Sequence, residues 1–106
     1  MKESDWKKFK VIRERAIERF CTQALDEFGA VIANTDEPVH DRYLRLYELV
    51  QQRDKQLSSI FDSYSRSMAS LQLTLIRSNG LADESLIAEL SEAFRKQTAP
   101  AIVDSE

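Results

Sequence analysis

Between Val39 and Asn79 the chain contains neither proline nor glycine. Within that stretch Tyr43, Tyr47, Val50, Asp54, Leu57, Phe61, Tyr64, Met68, Leu71 and Leu75 recur at alternating spacings of four and three. Nine of these ten positions are apolar or aromatic, the exception being Asp54. A seam sustained over more than four heptads is the pattern of coiled-coil-like packing, and it predicts one helix over about residues 38–78. Asn79-Gly80 supplies its stop.

At 1.5 Å per residue such a helix is on the order of 60 Å long. A compact monomer of 106 residues has a radius of gyration near 13 Å and so a diameter of roughly 33 Å. Half of the apolar stripe would then lack an intrachain partner. A break near the serine-rich residues 58–70 would relieve the mismatch, but the usual causes of a break are missing there. The expectation is a second copy that covers the stripe in a twofold homodimer.

Positions beside the seam refine that expectation. They are Leu46, Arg53, Ile60, Ser67 and Thr74 on one side, and Leu44, Gln51, Ser58, Ser65 and Gln72 on the other. A two-stranded coiled coil would carry Glu and Lys there. A wide face poor in charge suits a helix with more than one neighbour, as in a four-helix bundle.

The remaining segments also read as helix. Trp6, Phe9, Ile17, Phe20, Ala24, Phe28 and Val31 form an amphipathic stripe over about residues 5–33, with Ser4 or Asp5 as N-cap. Cys21, Leu25 and Ile32 flank it. Residues 34–38 make a short connection ending at Pro38, which favours an antiparallel turn-back. Asp83 caps a shorter helix to about residue 97, with Leu86, Leu90 and Phe94 as its stripe. Residues 99–106 read as a tail. The fold class is therefore all-α: one helical domain over 1–98, an antiparallel long-helix hairpin plus a short C-terminal helix, dimerising into a coiled-coil-like four-helix bundle. Two glycines and two prolines in the whole chain argue against many-turned β architectures.

Residue chemistry offers little that is catalytic. One histidine and one cysteine cannot make a disulfide or a nucleophilic triad within the chain. Glu37 and His40 have the Glu-x-x-His spacing of di-metal bundles, but such sites need two of these motifs. Cys21 reads as a small buried hydrophobe. No metal site and no cofactor is expected, and the reading is of a non-enzyme. The N-terminus lacks a signal-peptide stretch and no membrane span is visible, so a cytoplasmic protein is expected.

Charge points the same way. A net −3 and a pI near 5.2 argue against a dedicated nucleic-acid binder. Residues 1–20 are nonetheless basic, with seven Lys/Arg against four Asp/Glu. Lys8, Arg15 and Arg19 share one helix side and are the candidate phosphate contacts of the alternative reading, a small nucleic-acid-associated regulatory protein. The leading expectation is a non-enzymatic helical oligomerisation and protein-interaction module, working as a homodimer. Asp54, alone and polar in the seam, is expected to set register or mark where the seam opens.

Overall fold

The computed structural model describes residues 1–100. Five helices follow in order: α1 (Glu3–Ala33), α2 (Val39–Phe61), α3 (Ala69–Ser78), α4 (Glu84–Ile87) and α5 (Glu92–Gln97), with no strand among the described residues. The tail expected over 99–106 lies, from residue 101 onward, outside the described residues. Arg42 donates to the Ile32 carbonyl, Arg53 clasps Glu27, and Arg13 donates to the Phe61 carbonyl. These pairings fall back along the sequence, so α2 runs antiparallel to α1.

The single helix expected over 38–78 is not formed. It is broken at residues 62–68 into α2 and α3, and the one continuous seam is divided with it. Ala69, Leu73 and Ile76 of α3 are fully buried, in one cluster with Phe9, Ile12 and Ala16 of α1. In a straight rod these α3 side chains would stand in water, and each such burial contributes roughly 1.5–3 kcal/mol for a large aliphatic group. Opening one helical turn forfeits a few hydrogen bonds of about 1 kcal/mol each. Burial wins.

The bend also recovers most of what it gives up. Gln72, buried in α3, donates through Nε2 to the carbonyls of Phe61 (3.2 Å) and Ser63 (3.1 Å). Its Oε1 accepts from Arg13 Nε at 2.8 Å, and Arg13 donates again to the Phe61 carbonyl at 3.0 Å. The last carbonyls of a helix have no intrahelical partner; here side chains from two other helices supply them. The Arg13 guanidinium lies 4.1 Å from the Tyr64 ring centre, and Tyr64 stacks on Trp6 at 5.7 Å. Serine adds a local competitor to the helix, since Ser65 Oγ accepts from the Met68 amide.

Helix α3 ends where Asn79-Gly80 predicts. Gly80 has φ +68; its amide donates to the Arg77 carbonyl and the Leu81 amide to the Ile76 carbonyl. That is a Schellman closure, which needs a residue tolerant of positive φ. The C-terminal helix expected over 83–97 is two short helices instead. Asp83 caps α4 through the Ser85 amide and Ser91 caps α5 through the Phe94 amide. The interruption lets Ile87, Leu90 and Phe94 all reach the core. Helix α1 begins at Glu3, before the expected caps, with Lys2 at the cap position and no side-chain bond.

Two regions result. A head gathers the start of α1, the end of α2, and α3 to α5 around one core. An arm, made of the rest of α1 and α2, projects from it. The radius of gyration is 16.9 Å and the extents are 53 × 35 × 22 Å, longer than a compact chain of this size (about 13 Å radius). Replacing Gln72 by Leu leaves the Ser63 carbonyl without its donor, removes one of the two donors to the Phe61 carbonyl and takes away the acceptor of Arg13 Nε. The expected loss is about 2–3 kcal/mol in urea unfolding, whereas Leu71→Ala, half exposed beside it, should change stability by less than about 1 kcal/mol.

Candidate interaction surface

Each arm helix carries two apolar rows. On α2 the half-buried Leu46, Leu49 and Arg53 turn toward α1, while Val39, Tyr43, Tyr47 and Val50 are exposed. At 100° per residue the two rows lie about 90° apart. On α1, Phe20, Ala24 and Val31 face α2, and Cys21, Leu25, Phe28 and Ile32 form the second row, again about 100° away. Because α1 and α2 are antiparallel, both second rows open to the same side of the arm.

A cleft of about 270 Å³ runs between them, lined by Cys21, Leu25, Phe28, Val50, Asp54 and Leu57 among others. Exposure on this side is high for large apolar groups: Val39 74%, Tyr43 67%, Leu25 66%, Tyr47 57%. Ile32 and Val50 on the same rows are exposed as well, and a contiguous open apolar surface of this kind marks an interaction site. Arg53 and Asp54 are the charged residues lining the cleft; by helical spacing His40, Gln51 and Ser58 flank the row on α2, and Thr22 and Gly29 that on α1.

Fixed polar contacts hold the arm in shape. Arg53 grips both Glu27 oxygens, at 2.9 and 2.6 Å, a planar fork on a carboxylate. The Arg53 hydrogen bond holds the Glu27 carboxyl below its ordinary range, burial opposing it. Arg45 pairs with Glu37 at 2.8 Å and closes the tip.

The expected seam is thus shared between unlike surroundings. Tyr43, Tyr47, Val50 and Asp54 are exposed on the arm, Leu57 is half-buried, and Phe61 lies in the head core. Tyr64 is exposed in the bend, Met68 and Leu75 are half-buried, and Leu71 is exposed on α3. They do not share one face, because the bend turns the rows after Phe61 to new directions. Asp54 is not buried in a seam; it stands at the lip of the cleft. The core residues Ile12 and Ala16 fall outside the stripe drawn on α1, since the head covers a second side of that helix.

The three candidate phosphate contacts all meet the head. Lys8 donates to the Glu89 carbonyl at 2.8 Å, Arg15 pairs with Asp83 at 2.8 Å, and Arg19 donates to the Ala82 carbonyl at 3.3 Å. Asp5 completes this edge: Ser91 donates to it from its amide (2.9 Å) and its hydroxyl (2.5 Å). Four side chains spaced along α1 therefore pin residues 82–91 antiparallel to it. Cys21 is a half-buried free thiol, and His40 is exposed. No group of three or more metal-ligating side chains occurs among the described residues. No described helix is long and apolar enough to cross a membrane.

No protein-family model, curated protein or solved structure matches this chain.

Burial raises the Asp5 carboxyl, but the Ser91 hydrogen bonds, with Lys2 and Lys8 nearby, outweigh it and hold it below its ordinary 3.8. A lowered folded value means that this contribution is complete above the unfolded value and is lost as pH falls through the folded one. Stability of the native chain should therefore decline with acidification below about pH 4. Asp5→Asn should be less stable at neutral pH and show a shallower decline, read by thermal melts across pH.

Proposed function

We propose that this chain is a non-enzymatic helical oligomerisation and protein-interaction module whose working surface is the apolar side of the arm. One observation carries the reading: two apolar heptad rows, one from each arm helix, open to the same side of the arm. In a four-helix bundle each helix touches two neighbours roughly at right angles. Each arm helix has one such neighbour and a second apolar row about 90–100° from it, so the arm has the shape of half a bundle.

A second copy of the chain is the partner that fits. Its arm carries the same two rows, and twofold pairing lets one self-complementary patch serve both sides. The antiparallel arm pair and its dimeric four-helix bundle are thus one proposal. Engagement of the alternative partner, nucleic acid, would draw on Lys8, Arg15 and Arg19, whose charges or donors are already committed to the head.

Light scattering on the eluting protein at micromolar concentration should give a mass near twice 12.2 kDa. Tyr43→Lys combined with Val50→Lys should halve that mass while leaving the helical circular dichroism unchanged, because both side chains are exposed in the single chain. A native protein of monomer mass at all concentrations, or a double variant that stays dimeric while each chain keeps its bent form, would remove the homodimer reading. Salt-sensitive binding of the native protein to DNA, lost on Lys8→Ala with Arg19→Ala, would favour the alternative.

A further inference from the structure

We propose that the bend at residues 62–68 is a hinge through which two copies can exchange heads, α3 to α5 of each docking on α1 of the other. Three observations carry this, and none involves the arm surface. Helix-compatible sequence runs unbroken through the bend, without proline or glycine and with heptad spacing kept from Phe61 to Met68. The flanks are already helical in torsion: Asp62 and Met68 both lie in the right-handed region, Met68 makes no side-chain cap bond at the start of α3, and positive φ is confined to Gly80 among the described residues. Straightening therefore needs a change confined to the residues between them, 63–67.

The third observation is what keeps the bend closed. Its polar clasp is Gln72, which travels with the head, and Arg13, which belongs to α1. Its apolar counterpart is Ala69, Leu73 and Ile76 against Phe9, Ile12 and Ala16. The Asp5–Ser91, Lys8–Glu89 and Arg15–Asp83 contacts likewise join head to α1. When α2 and α3 fuse into one helix of on the order of 60 Å, the head leaves its own α1. All of these contacts except the Gln72 bonds to the Phe61 and Ser63 carbonyls, which belong to the bend itself, can then be remade on a second copy, reciprocally. Exchange of an identical element across a short hinge preserves native contacts and alters only the hinge.

Intrachain distance separates the two forms. Gln56 and Asn79 line one cleft in the bent chain; in a continuous helix they would be about 35 Å apart. Spin labels at Gln56→Cys and Asn79→Cys, in a Cys21→Ser background, report this by pulsed dipolar spectroscopy. Tyr43→Lys with Val50→Lys is included so that arm pairing contributes no dimer. The exposed substitutions Ser63→Ala, Ser65→Ala and Ser67→Ala favour the straight form by roughly tenfold through helix propensity. A dimer whose long-distance fraction rises about tenfold over the serine parent is the expected result. Only short distances at millimolar concentration, or a long distance in a monomer, would overturn head exchange. Gln72→Leu, which opens the clasp from the other side, should raise the same fraction, and the exposed serine variant remains decisive where Gln72→Leu unfolds the chain. Arm pairing is judged separately, in the background with Tyr43 and Val50 intact.

Discussion

The structure turns on two backbone carbonyls, those of Phe61 and Ser63, and on the two side chains that reach them. A helix that stops inside a protein leaves its last carbonyls unpartnered, and a buried orphan acceptor costs about 1–3 kcal/mol. Gln72 and Arg13 meet that requirement together and also bond each other. Without them the chain would face a choice between orphaned carbonyls and a rod with three fully buried α3 residues returned to water. With them the rod folds back, and a core closes around the start of α1.

Helix α1 then lives in two environments along one length. Near its start it is covered from two directions, by α2 and by the head, so Phe9, Ile12 and Ala16 reach zero exposure. Toward its end only α2 remains, Ala24 is the last buried position, and Leu25 and Ile32 stand open. The same helix period serves both, but the width of the buried face differs. Polar contacts compensate along the arm: the Arg53–Glu27 fork and the Arg42 bond to the Ile32 carbonyl fix α2 on α1 where hydrophobic burial is thin. A projecting arm with a stiff backbone and an open apolar side is what the proposed pairing uses.

Features set by neighbouring residues were legible in the sequence. The Asn79-Gly80 stop and the Asp83 cap rest on side chains within a few positions, and both form. The all-helical class followed from periodicity and scarce turn residues. The bend was not legible, because Arg13 and Gln72 are 59 positions apart and nothing local records that they meet. For the same reason Lys8, Arg15 and Arg19 read as a free basic edge: their partners in residues 82–89 lie far along the chain. Tyr43, Tyr47 and Val50 were visible as a row, yet periodicity alone could not say that their row would be left open while that of Phe61 was closed.

Asp54 limits how the arms can meet. It stands at the lip of the cleft between Val50 and Leu57 on the helix row that also carries Tyr43 and Tyr47. In the single chain water solvates it, so it imposes no penalty on folding. An unpaired carboxylate carried into a dry interface would cost several kcal/mol. In the proposed pairing the dry part of the interface would therefore be bounded by Asp54 and would lie toward the tip, over Tyr43, Tyr47 and Val50 with Leu25 and Ile32 opposite. Sliding one arm deeper along the other would bury Asp54 away from both water and cations. In the proposed pairing a polar residue at the inner end of an apolar row would thus select one register among those that hydrophobic contact alone would accept.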